Sequence, residues 1–191
     1  MAADHPTFDG ARWSNATADD VALAASDPAW SERFAVEAIA IHAALGPEGT
    51  GVTIEHVGST AVPGLAAKPV IDLLLIPPEG TWPRDTLIAV LPSLGYVFWA
   101  ENPDPEHLFF VKGMPPYGTG RTHHVHVRSR ARAAAVLTFR DYLRARPGVA
   151  REYETLKREL AASHPTDREA YTRGKRAFVA RALAEAGAPA V

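Results

Sequence analysis

Residues 52–76 read VTIEHVGSTAVPGLAAKPVIDLLLI, and the interpretation of the whole chain begins from this stretch. Alternating side chains over residues 52–57 predict a strand, whereas the almost wholly apolar run over residues 70–76 predicts a central strand covered on both faces. Asp72 interrupts that apolar run. An ionised carboxylate inside such a strand is costly unless a partner or a metal ion compensates it, so the partner of Asp72 becomes the central question.

The composition is typical of a soluble globular domain. The chain has 191 residues, 47% of them apolar, with a formal net charge of −2 and no cysteine, which excludes disulfides and thiolate metal sites. The near-neutral charge argues against nucleic acid as the main partner, and no apolar span is long enough to cross a membrane. The first ten residues lack the pattern of a secretion signal, so the cytoplasm is the expected location. No pattern in the sequence indicates the oligomeric state.

The chain divides into a tail and one domain. Residues 1–18 show no periodicity and are predicted to form a loose tail, and residues 19–191 are predicted to form a single domain with a short first strand at residues 21–23. Asp27-Pro28 is typical of a helix start, and Gly46 of a helix end. A second helical pattern ends at Gly95.

Further strands and a helical cluster follow. Residues 96–100 and 107–112 are predicted to pair as strands, and THHVHVR at residues 122–128 alternates so that His124, His126 and Arg128 share one face. The rest of the chain is predicted to be helical, with one helix ending near Pro147-Gly148, a second over residues 150–162, and a third that runs from a capping box at Thr166 and Glu169 to Gly187. The predicted fold class is α+β, with a small mixed β-sheet, flanking helices and a C-terminal helical cluster.

Gly58-Ser59 directly follows the first strand of the opening stretch. Such a pair lets the backbone turn tightly and leaves amide hydrogens available to an anion. Asp72 lies on the next strand, where a carboxylate could bind a divalent cation beside that turn. Together they indicate a metal-assisted phosphoryl or nucleotidyl transfer. The pattern resembles the signature of the polymerase-β-like nucleotidyltransferase fold, in which Gly-Ser is followed by Asp-x-Asp on the next strand.

Longer motifs carry a more specific resemblance. IEHVGSTAVPGLAAKPVID, preceded by DPAW and followed by HVHV, FRDYLR, YETLK and DREAYTRGKRAFV, resembles the GrpB family over residues 20–186. Membership would imply the nucleotidyltransferase superfamily, a divalent metal (Mg²⁺, Mn²⁺ or Zn²⁺) and a nucleoside triphosphate as substrate. The expected partners are therefore a nucleotide and a small-molecule or protein acceptor.

One departure from the superfamily pattern concerns the second acid. The position two residues after Asp72 holds Leu74, which cannot bind a metal, so the two-metal arrangement is incomplete on this strand. His126 or His124, on a later strand, and His56, just before Gly58, are predicted to complete the metal site with Asp72. A mixed histidine and aspartate set favours Zn²⁺ or Mn²⁺ over an all-oxygen Mg²⁺ site.

Basic residues could offset phosphate charge. Lys68 lies between the turn and Asp72, and Arg140, Lys157 and Lys175 recur on the C-terminal helices, so all four are predicted to contact a nucleotide. Each helical cation could equally be a solvated charge, His56 could be a core histidine, and Asp72 could accept the amides of the Gly58-Ser59 turn.

The function expected from these observations is metal-dependent transfer of a nucleotidyl group from a nucleoside triphosphate. Asp72, Ser59 and Gly58 are the expected catalytic residues. The alternative is a non-catalytic nucleotide- or anion-binding module on the same fold, which the leucine at position 74 favours. HVHVR also resembles the His-x-His-x-His strand of the histidine-triad hydrolases, but Arg128 replaces the third histidine.

Overall fold

The computed structural model describes residues 20–188, which form a five-stranded mixed sheet with helices packed on it. The strands are β1 (Thr53–Val57), β2 (Ile71–Ile76), β3 (Tyr96–Phe98), β4 (Leu108–Lys112) and β5 (His123–Val127). The helices are α1 (Ala29–Leu45), α2 (Arg84–Val90), α3 (Arg130–Ala145), α4 (Pro147–Ser163), α5 (Arg168–Gly174) and α6 (Arg176–Glu185). The α+β class is therefore confirmed.

The strand order β1-β2-β5-β4-β3 places the strands of the opening stretch next to the histidine-rich strand. β2 pairs antiparallel with β1 and parallel with β5, while β4 is antiparallel to both β5 and β3. In the parallel pair, Asp72 is the partner of His124 and Leu74 is the partner of His126. The topology thus brings together residues that lie about fifty positions apart in the chain.

β2 is covered on both faces, as its apolar run predicts. Leu73 and Leu75 are buried in the main core with Trp30 and Ile41 of α1. On the other face, Leu74 is fully buried in a smaller cluster that includes Ala133 of α3. Asp72, near the start of β2, has 27% of its side chain exposed, so it lies at the edge of this apolar layer.

The C-terminal helices hold the connection between β1 and β2. Leu65 of that connection packs with Tyr153 of α4 in a second apolar cluster. Both backbone polar groups of Ala66 are hydrogen-bonded to α4. Its N–H donates to Glu154 Oε2 at 3.0 Å, and its carbonyl accepts from Lys157 Nζ. These contacts satisfy backbone groups that would otherwise be buried without partners.

Several boundaries differ from the sequence-based predictions. In place of a strand at residues 21–23, the described chain has a single bridge between Ala24 and Ala67. The predicted last helix divides into α5 and α6 at Lys175, and its N-cap is Asp167, which accepts from the amide of Ala170 at 2.9 Å, rather than the Thr166 capping box.

The predicted loose tail at residues 1–18 lies outside the described residues, so it and the boundary at residue 19 stay predictions. Over residues 20–188, no helix has the length and apolar character needed to span a bilayer.

Candidate functional site

A cleft of about 870 Å³ opens between the sheet and the C-terminal helices. One wall consists of Asp72 on β2, His124 and His126 on β5, and the odd-numbered residues of β4. The opposite wall consists of Lys157 on α4 and residues of α5 and the start of α6. A volume of this size is typical of a site for small molecules.

Asp72 lies against two imidazoles in this cleft. Its Oδ1 is 2.8 Å from His124 Nδ1 and 3.7 Å from His126 Nε2. Burial opposes ionisation of this carboxyl, but the hydrogen bond from His124 and the nearby His126 hold the pKa of Asp72 well below its usual range. Burial also lowers the pKa of His124 to about 4, so at neutral pH a neutral imidazole donates its Nδ1–H to an ionised carboxylate.

The positions of these three side chains fit a shared metal ion. One ligand atom from each of Asp72, His124 and His126 lies within 4.8 Å of the other two. Donors bound to one ion at about 2.1 Å are separated by about 3.0–3.4 Å in octahedral or tetrahedral geometry, and the two distances above bracket that range. The histidine-rich set suits Zn²⁺ or Mn²⁺ better than Mg²⁺.

His107 lies behind His126 and was not predicted from the sequence. Its Nε2 is 2.9 Å from His126 Nδ1, and Arg128 Nη2 donates to its Nδ1 at 3.2 Å. Since the arginine can only donate, His107 carries its proton on Nε2 and donates to His126 Nδ1, so His126 presents an Nε2–H to Asp72. Metal binding at the two imidazoles therefore requires their protons to leave or to move to the other ring nitrogen.

A sequence signal for His107 exists in the period of β4. Phe109 pairs with His126 and Val111 with His124, so the odd-numbered positions of β4 lie on the same face as these histidines. His107 continues that series just before the strand. Burial, together with the nearby His126 and Arg128, lowers the pKa of His107 to about 3.

The Gly58-Ser59 turn touches Asp72, as predicted. Gly58 has φ of +71°, and a Cβ at this position would overlap with Asp72 Oδ2 and lie 3.1 Å from its Cγ. Only glycine can adopt this positive φ and also leave this space for the Asp72 carboxylate without strain. Ser59 begins a short 3-10 helix, Ser59–Ala61, and lines the cleft. Among the described residues, the hydrogen-bond partner of the Asp72 carboxylate is His124 and not an amide of this turn, which removes the capping alternative.

Three of the predicted cations line the cleft. Lys68 and Lys175 flank the ring of Tyr171, with Nζ 5.3 Å and 4.5 Å from its centroid. Burial, and after it the nearby Arg168 and Lys175, lower the pKa of Lys68 to about 7. Lys157 is 1% exposed, and burial also lowers its pKa to about 7. Its Nζ donates to the Ala66 carbonyl, so it supports the connection as well as lining the cleft.

Arg140 lies elsewhere, which corrects its predicted role in nucleotide binding. Its guanidinium donates to Glu55 Oε2 at 2.8 Å, to the carbonyl of His56 at 2.9 Å and to its neighbour Asp141, and it is not part of the cleft lining. It joins α3 to β1. Glu55 is therefore held in an ion pair with Arg140.

His56 is likewise a structural residue rather than a metal ligand. Its ring stacks on Phe34 with centroids 4.7 Å apart, and its Nε2 is 3.0 Å from Thr60 Oγ1. Burial lowers the pKa of His56 to about 4. The group of candidate ligands within the described chain contains Asp72, His124 and His126 but not His56.

Comparison with known proteins identifies a matching family and several relatives of this chain. The sequence profile described as "GrpB protein" matches residues 20–185. The UPF0157 protein PA4798 of Pseudomonas aeruginosa is 59% identical over 181 residues, which are 95% of this chain and 74% of that protein. The crystal structure of the conserved protein GrpB from Enterococcus faecalis aligns with a TM-score of 0.75 at 37% identity, covering 86% of this chain and 96% of that one.

A more distant likeness is to the Cid1 poly(U) polymerase with MgGTP bound. The TM-score is 0.45 at 12% identity, and the alignment covers 71% of this chain and 45% of the polymerase.

Proposed function

This chain belongs to the GrpB family, and we propose that it is a metal-dependent nucleotidyltransferase acting on a nucleoside triphosphate and a small acceptor. One observation carries the proposal. Asp72, with two imidazoles at ligand distance, touches the Gly58-Ser59 turn at one wall of a cleft whose other wall is basic. A carboxylate that binds metal beside a phosphate cradle is the arrangement that such a transfer needs.

Each residue has a defined part in this proposal. The turn at Gly58 and Ser59 receives the phosphates, and Lys68 and Lys175, both over the ring of Tyr171, offset their charge. Lys157 supports the connection that follows the turn, through its hydrogen bond to the Ala66 carbonyl. Asp72, His124 and His126 would hold the divalent ion, which when bound lowers the charge on the phosphate oxygens.

The reaction is a substitution at the α-phosphorus. A hydroxyl, amine or phosphate oxygen of the acceptor forms a bond to that phosphorus, the bond to the bridging oxygen breaks, and pyrophosphate leaves with the electron pair. The proton of a hydroxyl or amine acceptor passes to solvent. The protein mainly positions the reactants and stabilises charge, because such transfers need little covalent participation from side chains.

A second candidate function is a non-catalytic nucleotide- or anion-binding module. Two observations favour it. Leu74 is fully buried against α3 and offers no second acid, and both imidazoles direct an N–H at Asp72, which satisfies the carboxylate without a metal ion. The same cleft then binds a phosphate-bearing ligand through its cations alone.

The experiment is a thermal-stability matrix of nucleoside triphosphates against Mg²⁺, Mn²⁺ and Zn²⁺, followed by an assay for pyrophosphate release. Stabilisation only when nucleotide and metal are present together supports the transferase, since both must bind the folded state. Stabilisation by nucleotide without any metal, and without pyrophosphate release, supports the binding module. If no combination raises the melting temperature, both proposals are wrong.

A further inference from the structure

The cations of the cleft divide by residue type and by exposure. Lys68 and Lys175 are half-buried over Tyr171, and Lys157 is buried over Tyr153. Arg173 and Arg176, at the end of α5 and the start of α6, are exposed, and the ion pair of Arg173 with the likewise exposed Glu169 is long, at 3.8 Å. Lysine acts as a point charge, while the planar guanidinium binds a phosphate or carboxylate through two parallel hydrogen bonds. The two ends of the cleft therefore offer two different kinds of anion contact.

The total charge of the lining exceeds what one nucleotide requires. Seven basic side chains and three acidic ones line the cleft, a formal surplus of four positive charges, although the whole chain has a net charge of −2. A triphosphate with one divalent ion carries about two negative charges at neutral pH, given phosphate pKa values near 6. Bound phosphates favour the protonated form of Lys68 and Lys157, and with both lysines protonated about two positive charges remain for a second ligand.

The cations repel one another in the ligand-free cleft. Arg168 and Lys175 both lower the pKa of Lys68, and Arg168 also lowers the pKa of Lys175, after the effect of burial. Crowding of like charges in a partly buried site is unfavourable, and bound anions relieve it. The positive surplus thus points to an anionic ligand in addition to the nucleotide.

We propose that the acceptor is a small phosphate monoester whose phosphate binds to Arg173 and Arg176. This inference rests on the proposed nucleotidyl transfer and names the class of its second substrate. The volume of the cleft suits two small molecules rather than a macromolecule, and the net negative charge of the chain outside the cleft disfavours nucleic acid. The phosphate at the rim leaves the other end of the acceptor directed toward the lysines and Asp72.

The test is calorimetric titration of glycerol 3-phosphate into protein already saturated with Mn²⁺ and α,β-methylene-ATP, which does not react. The double variant Arg173→Gln/Arg176→Gln removes the rim contacts. The matched control is Arg130→Gln/Arg151→Gln, which removes two exposed arginines outside the cleft lining. Glycerol serves as the uncharged probe.

The expected result is that glycerol 3-phosphate binds the saturated wild type and the control, that glycerol does not, and that the rim variant binds at least about tenfold more weakly. If the nucleotide analogue binds but glycerol 3-phosphate does not, or if the rim variant is unaltered, the acceptor proposal is wrong while the nucleotide site stands. If the analogue itself fails to bind, both proposals fall.

Discussion

His126 is the direct neighbour of Leu74 in the parallel pairing of β5 with β2. The imidazole therefore stands in the sheet beside the leucine that takes the place of the second acid expected from the nucleotidyltransferase pattern. Of the two β5 histidines that line the cleft, His126 is the one with a further imidazole, His107, behind it in the described chain. Where that pattern leads one to expect a second carboxylate on β2, this chain has His126 on the adjacent β5, with His107 from the segment before β4 behind it.

Replacing Asp72 by Asn should abolish metal binding without unfolding the protein. The amide keeps the shape of the side chain but loses the negative charge, and we expect an affinity for Mn²⁺ or Zn²⁺ at least about a hundredfold lower. Calorimetric titration measures this. Asp85→Asn, whose side chain is 99% exposed, is the control. Equal metal affinity in wild type and Asp72→Asn would assign the carboxylate a purely structural role.

Replacing Gly58 by Ala should destabilise the protein more than the same change at Gly64. Both glycines have positive φ, +71° and +78°, but a Cβ at position 58 meets the Asp72 carboxylate, whereas at position 64 it meets nothing within 4 Å. We expect a loss of about 1 kcal/mol for Gly64→Ala and an additional loss of about 1–3 kcal/mol for Gly58→Ala. Urea unfolding gives both values, and equal losses would mean that the contact with Asp72 is unimportant.

The hydrogen bonds fix a tautomer for each imidazole of the cleft. His124 should carry its proton on Nδ1, while His126 and His107 should carry theirs on Nε2. Long-range ¹H–¹⁵N NMR spectra of the metal-free protein at pH 7 distinguish the two forms. An Nδ1–H signal from His107 would show that Arg128 does not donate to it in solution. Added Zn²⁺ should shift the signals of His124 and His126 and leave those of His56 in place.

Stability should fall as the pH decreases from about 6.5 to about 4. Burial lowers the pKa of His56 to about 4, whereas an unfolded imidazole titrates near 6.5. The unfolded chain therefore binds more protons in this window, and the free energy of unfolding decreases as the pH falls, by up to about 3 kcal/mol from His56 alone. Below pH 4 both states bind the proton and the contribution of this residue levels off.

The variant His56→Gln isolates that contribution, because it removes the titrating group and retains a polar contact for Thr60. Urea unfolding between pH 7 and pH 4 should give a shallower decline for the variant than for the wild type. Buried His107 and His124 have pKa values lowered in the same way, so some decline should persist. Parallel curves for variant and wild type would contradict the assignment to His56.

Two basic residues that looked alike in the sequence should behave differently. Lys175→Met should weaken nucleotide binding about tenfold, because its ammonium faces the cleft over Tyr171. Arg140→Met should leave nucleotide affinity unaltered and lower the free energy of unfolding by about 1–3 kcal/mol, since it removes the donor to Glu55 and to the His56 carbonyl. Weaker nucleotide binding by Arg140→Met, with unaltered binding by Lys175→Met, would contradict these assignments.

The features that the sequence predicted well depend on local periodicity. Alternation over THHVHVR placed His124 and His126 on one face, and the glycine before Ser59 marked the turn that reaches Asp72. Both depend only on the strand period and on the conformational freedom of glycine, which a sequence displays directly.

The features that were missed depend on partners far apart in the chain. His107 lies beside His126 because β4 pairs with β5, which begins sixteen residues after His107, and the period of β4 does not show which strand is its partner. Lys157 donates to a backbone carbonyl of the connection, for which no residue type is diagnostic. Arg140 and His56 were misassigned because Glu55 and Thr60, which bind them, carry no mark that separates a structural partner from a ligand.

The hydrogen bonds of Ala66 with Glu154 and Lys157 attach the connection between β1 and β2 to α4. A chain truncated before Pro147 would retain every strand of the sheet and the three imidazoles of the cleft, yet the connection that follows Ser59 would have lost its contacts with α4. We therefore expect that a fragment must extend at least through α4 to keep this connection in place.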